Sequence, residues 1–237
     1  MENEKIRLNK YLSEQGICSR READRLAEQG KILINGRRAE PGMRVSAADE
    51  IAVDGKGLER AKVRPVLIAV NKPAGVVCTT AEFPGEYNIV RMVNYPTRIY
   101  PIGRLDKDSE GLILMTNQGE LVNDILKSSA EKEKEYVVRI HEAVTPEFIQ
   151  RMGNGVFLPE LKVTTKPCRI RQTGAREFTI ILTQGLNRQI RRMCEALDCH
   201  VASLKRVRIM NIRLGNLPSG HYRNVTEAEF EEMVREF

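Results

Sequence analysis

The chain has 237 residues, of which 41% are hydrophobic, so it can bury a real core and is not a disordered binding tail. Its formal net charge is +6 and its sequence pI is about 9.1, which favours a polyanionic partner. No apolar run reaches the length of a membrane span, no secretory signal is present at the N-terminus, and the five cysteines include no Cys-x-x-Cys pair. We therefore expect a cytoplasmic protein with reduced thiols, no membrane segment and no metal site.

The first sixty residues predict two short helices followed by a small sheet. Apolar residues at helical spacing cover residues 6–29, Gly16 interrupts them, and Ser19 with Glu22 predicts the N-terminal cap of the second helix. The turn pair Asn35-Gly36 joins segments 31–34 and 37–39 and predicts a β-hairpin, and residues 50–53 predict a further strand. The polar stretch 55–64 lacks apolar periodicity, which predicts a linker.

We therefore divide the chain into a domain at residues 1–60, a linker at 61–65 and a larger domain at 66–237. In the larger domain, strands are predicted at residues 66–70, 76–79, 112–116, 135–140 and 177–182. Helices are predicted at about residues 120–126, 146–152, 187–197 and 226–237, the last with Thr226 and Glu229 at the spacing of a capping box. Because strands outnumber helices and do not alternate strictly with them, we predict an α+β fold with a mixed, mostly antiparallel sheet and flanking helices.

A basic segment lies between residues 185 and 213. Only Glu195 and Asp198 oppose its seven cations, which are Arg188, Arg191, Arg192, Lys205, Arg206, Arg208 and Arg213. Periodicity in the helix predicted at 187–197 places Ile190, Met193, Cys194 and Leu197 toward the core, Arg191 on the flank, and Arg188 with Arg192 on the far side. This segment predicts contacts with phosphate groups. The alternative for Arg188 and Arg192 is a surface pair with Glu195.

Four motifs in chain order resemble those of a known enzyme family. They are Asn71-Lys72-Pro73-Ala74-Gly75, Gly103-Arg104-Leu105-Asp106, Lys134-Glu135-Tyr136 and Gly185-Leu186-Asn187-Arg188-Gln189-Ile190-Arg191-Arg192-Met193. The set resembles the RNA pseudouridine synthases of the RsuA/RluB/RluE/RluF family, over essentially the whole chain. The run at 208–212 favours the RluF branch, whose substrate is 23S rRNA, whereas Asp198-Cys199 departs from the usual Gly-Tyr and leaves the target uridine open.

The N-terminal residues resemble a second family, the S4 RNA-binding domain. The matching residues are Arg7-Leu8, Lys10, Leu12, Ser19-Arg20, Gly30 and Ile34-Asn35-Gly36. The two resemblances together imply that the chain turns uridine into pseudouridine in ribosomal RNA. The reaction breaks the C1′–N1 bond and rejoins the base through C5 without loss of atoms or electrons, so we expect no cofactor. We expect a monomer with ribosomal RNA, free or in an assembly intermediate, as its partner.

The family resemblance also implies the roles of individual residues. Asp106 is the expected catalytic carboxylate, either as a nucleophile or as the base that deprotonates C2′, with Arg191 as its ionic partner. Arg104 is expected to help evert the uridine, and Tyr136 and Leu204 to stack and pack against the flipped base. The expected contacts to the RNA backbone are Arg7, Lys10, Arg20, Arg21, Arg25, Arg37, Arg38, Lys72, Arg188, Arg192, Lys205, Arg206 and Arg208.

The sequence leaves open several alternatives for residue roles, substrate and function. Asp106 is also compatible with an ordinary turn carboxylate, Tyr136 with a core residue, and Arg104 with a salt bridge to Asp108 or Glu110. Arg25 is at the right spacing to pair with Glu22 on its own helix. The substrate alternatives are 16S rRNA and tRNA, and the alternative function is a non-catalytic S4-type protein of ribosome assembly. The chain lacks the cofactor-binding turn of a methyltransferase and the ATP-binding motifs of a tyrosyl-tRNA synthetase.

Overall fold

The computed structural model describes residues 5–58, 64–126 and 132–236. The chain forms two compact units, one of residues up to 65 with 96–99 and 117–119, the other of residues 66–95, 100–116 and 120 onward. Residues 61–63 of the predicted linker lie outside the described residues, as does Phe237. In the described part of the chain, no helix is long and apolar enough to span a membrane.

The smaller unit contains the two helices and the small sheet that the sequence predicts. Its elements are β1 (Ile6–Arg7), α1 (Leu8–Glu14), α2 (Arg20–Glu28), β2 (Ile32–Ile34), β3 (Arg37–Arg38), β4 (Arg44–Val45), β5 (Ile51–Val53) and β6 (Lys56–Gly57). The backbone N–H of Glu22 donates to Ser19 Oγ at 3.1 Å, which caps α2 as predicted. Asn35 and Gly36 have φ values of 50° and 77°, so the predicted hairpin turn joins β2 to β3. β3, β2, β5 and β6 form one antiparallel sheet in that order.

The larger unit contains the remaining elements. They are β7 (Leu67–Lys72), α3 (Ile89–Val93), β8 (Tyr100–Ile102), β9 (Glu110–Thr116), α4 (Gly119–Leu126), β10 (Lys134–Ile140), α5 (Pro146–Gly153), β11 (Phe157–Leu158), β12 (Val163–Thr164), β13 (Arg169–Gly174), β14 (Glu177–Leu182), α6 (Gln189–Glu195), β15 (Val201–Ile209), β16 (Ile212–Arg213), β17 (Tyr222–Asn224) and α7 (Glu227–Val234). The main sheet has the strand order β13-β14-β10-β15-β9-β7-β17, with β16 on β15 and β8 on β9.

The main sheet confirms the predicted α+β class. Every pairing between its named strands is antiparallel except that of β9 with β15, which are parallel where Glu110 and Gly111 face Lys205 and Arg206. The two strands approach each other closely at Gly111, because a Cβ built there would lie only 2.3 Å from the carbonyl oxygen of Arg206. This close approach places the centre of β15 beside the loop that precedes β9.

Two clusters of buried side chains hold the helices against this sheet. One contains Phe178 and Val138 of the sheet with Met152 of α5 and Met193 of α6, all of them completely buried. The other contains Leu112 and Leu114 of β9, packed with residues of α4, β15 and α7. Ile190, Met193 and Cys194 are buried as the helical periodicity predicts.

Some predicted elements are wrong or were missed. The predicted strand at 76–79 is an irregular segment with one isolated bridge, from Val77 to Asn88. α6 begins at Gln189 and not at 187, because Arg188 has a left-handed backbone with φ of 50°. In the larger unit, α3 and the strands β8, β11, β12, β13, β15, β16 and β17 were not predicted. β15 was missed because its alternating polar residues were interpreted only as a basic segment.

Candidate active site

A cavity of about 220 Å³ opens in the larger unit where four segments meet. Its walls come from the loop between β8 and β9, the strands β10 and β15, and the segment that leads into α6. The predicted site residues Arg104, Asp106, Tyr136 and Leu204 all line it. Three motifs that are far apart in the sequence therefore contribute to one cavity.

Asp106 lies in the loop that joins β8 to β9. The Ser109 N–H donates to its main-chain carbonyl at 3.1 Å, which closes a turn. Its side chain is 34% exposed and lines the cavity, so the carboxylate is neither locked in a buried pair nor fully solvated. Asp106 is the only carboxylate among the cavity-lining residues that the structure describes.

The arginine nearest to Asp106 differs from the expected one. Arg188 Nη1 lies 3.7 Å from Asp106 Oδ2 and 3.4 Å from Asp108 Oδ1. Arg191 is buried, and its Nη2 lies 3.3 Å from Asp108 Oδ2 while donating to the Asp108 carbonyl and to Ser109 Oγ. This corrects the expectation that Arg191 pairs directly with Asp106. Arg191 instead fixes Asp108 and Ser109 in the same loop.

Tyr136 and Leu204 lie on neighbouring strands. In the antiparallel pairing of β10 with β15, Tyr136 faces Arg206 and Val138 faces Leu204. Leu204 is buried, whereas Tyr136 is half-buried and packs against the core cluster around Phe178. Tyr136 thus contacts the core and also forms part of the cavity wall, so its position is compatible both with a core residue and with a stacking partner for a base.

Sequence reasoning missed Lys134, Ser109 and Gln189 as cavity residues. Lys134 Nζ donates to the Lys132 carbonyl at 3.0 Å. Burial lowers the pKa of Lys134, and the cations of Arg206 and Lys132 lower it further. The available signal was the Lys-x-Tyr spacing, because residues two apart on a strand point to the same face.

Three residues predicted to contact the RNA backbone have side chains that are buried or mostly buried and bound to other groups of the protein. Lys72 is completely buried, with Nζ donating to the carbonyls of Pro73 and Val76 at 2.9 and 2.8 Å, and burial lowers its pKa. Arg206 is 4% exposed and donates from Nε to the Leu112 carbonyl at 2.7 Å. Arg208 has a side chain that is 12% exposed and forms ion pairs with Glu133 and Glu135.

The other residues predicted to contact the RNA backbone differ in their exposure and in whether a carboxylate pairs with them. Arg25 pairs with Glu22 at 2.6 Å and Lys10 with Glu14 at 3.7 Å, whereas Lys205 is half-buried. Arg192 pairs with Glu160, not with Glu195. The exposed arginines of this set are Arg7, Arg20, Arg21, Arg25, Arg37, Arg38 and Arg188.

Arg104 is exposed at the mouth of the cavity. Within the described ranges, Arg104 forms no ion pair with Asp108 or Glu110, so the structure does not contain the salt bridge that was the alternative role for this residue. Within the same ranges, no three His, Cys, Asp or Glu side chains form a cluster able to hold a metal ion.

Comparison with known proteins places this geometry in a family. Residues 66–196 match the family described as RNA pseudouridylate synthase, and residues 6–51 match the S4 domain. The dual-specificity RNA pseudouridine synthase RluF of Salmonella typhi is 50% identical over 230 residues, which is 97% of this chain and 78% of that protein. The ribosomal large subunit pseudouridine synthase B of Bacillus subtilis is 34% identical over 233 residues, 96% of this chain and 95% of that protein.

A solved structure gives the same result for the fold. A crystal structure of a pseudouridylate synthase superposes with a TM-score of 0.71 at 28% identity, covering 96% of this chain and 99% of that one. The similarity to RluF proteins also confirms the branch that the sequence motifs favoured. The chain therefore belongs to the RNA pseudouridine synthase family and carries an N-terminal S4 domain.

Proposed function

We propose that this enzyme isomerises a specific uridine of ribosomal RNA to pseudouridine, with 23S rRNA as the first candidate and Asp106 as the catalytic carboxylate. The observation that carries the proposal is the position of Asp106, a partly exposed carboxylate in a cavity that is also lined by an aromatic ring and an aliphatic side chain. The names of its relatives support the substrate class, since the Bacillus subtilis protein is a large-subunit enzyme and the Salmonella typhi protein is described as dual-specificity. The latter name is the reason to test tRNA and 16S rRNA as well.

The size of the cavity supports recognition of one everted base. At about 220 Å³ it is smaller than the roughly 300–1,000 Å³ that drug-sized ligands occupy. A base inside a helix is out of reach of Asp106, so the uridine must leave the stack before reaction. Tyr136 and Leu204 would hold the flipped uracil, and stacking on an aromatic side chain is typically worth about 1–3 kcal/mol per base. Arg104, exposed at the cavity mouth, would help to evert the nucleotide.

The chemistry requires one carboxylate and no added reagent. The C1′–N1 bond breaks with its electron pair going to N1, the base turns, and C5 bonds to C1′. The C5 proton is then lost while N1 gains a proton, so atoms and charge balance. Asp106 either attacks C1′ or takes the C2′ proton, and both routes need an ionised carboxylate at the cavity. Arg188 Nη1 lies 3.7 Å from the Asp106 carboxylate, and Arg191 positions the loop by its contacts with Asp108 and Ser109.

We propose that the chain is organised as an S4 domain at residues 1–60, a linker at 61–65 and a catalytic domain at 66–237. The exposed arginines of the S4 domain would contact phosphates, which carry no sequence information but orient the RNA. We also propose that the enzyme works as a monomer in the cytoplasm, on free RNA or a ribosome-assembly intermediate.

The test is mapping of pseudouridine on unmodified 23S rRNA, 16S rRNA and tRNA by carbodiimide treatment and primer extension. Wild type is compared with Asp106→Asn and with Asp198→Asn, a control at an exposed turn position after α6 where asparagine tolerates the observed φ of 56°. We expect one new stop with wild type and the control and none with Asp106→Asn, whose RNA affinity stays within a few-fold. No stop on any RNA would overturn the function, and a large loss of affinity in Asp106→Asn would overturn the role of that residue.

A further inference from the structure

Arg206 has a guanidinium group that the folded protein leaves partly unsatisfied. The residue is 4% exposed, and its Nε donates to the Leu112 carbonyl at 2.7 Å. Its Nη2 is buried, and it has no hydrogen-bond partner among the described residues. Leaving a buried donor unpaired costs stability, and the cost is larger for a charged group. Arg206 also lines the cavity that contains Asp106, so its charge, which no carboxylate of the described residues compensates, acts on a ligand bound in that cavity.

Lys134 is a second cation on the same cavity wall. It lies on β10, two residues before Tyr136, and Tyr136 faces Arg206 on β15. Over the described part of the chain, neither Lys134 nor Arg206 forms an ion pair with a carboxylate. The cavity lining contains four cationic side chains, Arg104, Lys134, Arg188 and Arg206, against the single carboxylate of Asp106. The cavity is therefore built to receive further negative charge.

The reaction generates such a charge inside this cavity. Whether Asp106 attacks C1′ or removes the C2′ proton, the electron pair of the C1′–N1 bond leaves with the base. The detached base is then a uracil anion whose charge is shared by N1, O2 and O4. Cations that are held in position in a site from which water is excluded stabilise a developing charge far more than solvated cations do. A planar guanidinium also presents several N–H donors at once, which suits carbonyl oxygens of a flat ring.

We propose that Arg206, assisted by Lys134, holds and stabilises the uracil anion between cleavage of the C1′–N1 bond and formation of the C5–C1′ bond. This inference rests on the proposed function and assigns to two residues a role at the base, not at the RNA backbone. It explains why Arg206 is buried without a counter-ion although the buried position is costly. It also explains why the cavity cations belong to the strands that carry Tyr136 and Leu204, the two residues that would contact the same base.

The test uses a leaving group of altered basicity. Fluorine at C5 withdraws electrons and stabilises the uracil anion, so 5-fluorouridine depends less on the protein for that stabilisation. Single-turnover consumption of the target nucleotide, either uridine or 5-fluorouridine, is measured at saturating enzyme on one RNA stem, which separates chemistry from binding. Consumption reports cleavage of the C1′–N1 bond, and it is the readout because fluorine at C5 leaves no C5 proton to lose, so 5-fluorouridine cannot complete the isomerisation. The variants are Arg206→Met, Arg206→Lys and Lys134→Met. The control is Arg139→Met, which removes an exposed cation from the same strand as Lys134.

We expect Arg206→Met to slow conversion of uridine by about 100-fold or more, the range found when one donor to a developing anion is removed. The slowing for 5-fluorouridine should be at least several-fold smaller, RNA affinity should change little, and Arg206→Lys should recover part of the rate. Lys134→Met should show the same difference between substrates, and Arg139→Met should behave as wild type.

Equal slowing of both substrates, or a loss that appears only in RNA affinity, would overturn the proposal. Lys134→Met decides the question by the same criterion if Arg206→Met does not fold. Failure of the proposed function is distinguishable, because the wild type would then consume neither substrate.

Discussion

Replacement of Gly111 by alanine should destabilise the protein in two separate ways, by backbone strain and by a steric clash. Gly111 has φ of +101°, and an alanine there stores on the order of 1–3 kcal/mol of backbone strain. The added Cβ would also lie 2.3 Å from the carbonyl oxygen and 2.8 Å from the nitrogen of Arg206, atoms of a packed parallel strand that cannot rotate away. Overpacking of this kind costs about 1–3 kcal/mol more. The expected loss is about 2–6 kcal/mol, which is large against a typical stability of about 5–15 kcal/mol.

Gly220→Ala separates the two terms. Gly220 also has positive φ, +78°, but nothing lies within 4 Å of its added Cβ, so only the strain applies. Calorimetry of the full chain, following the transition that contains the larger unit, should show Gly220→Ala shifted by the strain alone. Gly111→Ala should fall by at least about 4 °C, since about 2–4 °C accompanies each kcal/mol in a domain of this size. It should also lose activity, because the clash pushes Arg206 and Leu204 away from Asp106.

Equal melting temperatures for Gly111→Ala and Gly220→Ala would refute the reasoning. That result would mean that β9 and β15 separate at no cost, so the close approach of the two strands would not determine the shape of the cavity.

Two further predictions concern charge. His200 Nδ1 lies 2.9 Å from Glu142 Oε1, and this hydrogen bond raises the pKa of His200, while hydrogen bonds from the His200 N–H and ring lower that of Glu142 to about 2. The His200–Glu142 pair therefore contributes fully to folding stability between about pH 4.5 and 6.5. This contribution is lost as pH rises through the raised pKa of His200, or as pH falls toward 2 and Glu142 is protonated. An unchanged NMR titration of His200 in Glu142→Gln would contradict this. In the S4 domain, Arg20→Gln should lower the slope of log affinity against log salt by about 0.7–0.9 if it removes one phosphate contact. Arg25→Gln should change the slope less, since Glu22 already pairs with Arg25, and equal changes would refute the distinction.

Features that depend on neighbouring residues were predictable from the sequence. The Ser19–Glu22 cap, the Asn35-Gly36 turn and the capping box of Thr226 with Glu229 all appear in the structure. Each depends on groups within three residues of one another, so the local chain contains all the necessary information. Four motifs, each a contiguous string, together identified the family, which the family comparison confirms.

Features that depend on distant backbone were not predictable. Lys72, Arg206 and Arg208 were predicted to contact the RNA backbone. A sequence does not show that carbonyls or carboxylates elsewhere in the chain will form hydrogen bonds or ion pairs with a given lysine or arginine. The same limit explains the wrong strand at 76–79, whose apolar residues pack in the core without a strand partner beyond one bridge. Alternation can show that a segment is half-buried, but not that another strand lies beside it.

The sequence by itself determined the family, the fold class and the identity of Asp106, Tyr136 and Leu204 as candidate site residues. Only the tertiary structure decided which cation lies beside Asp106. Arg188 and Arg191 stand three residues apart in one motif, yet Arg188 lies within 3.7 Å of Asp106 and 3.4 Å of Asp108, whereas Arg191 is buried and pairs with Asp108. The parallel pairing at Gly111 likewise brings Arg206 into the cavity. Both outcomes are set by the packing of segments some eighty to one hundred residues apart, a distance over which periodicity and local propensity carry no information.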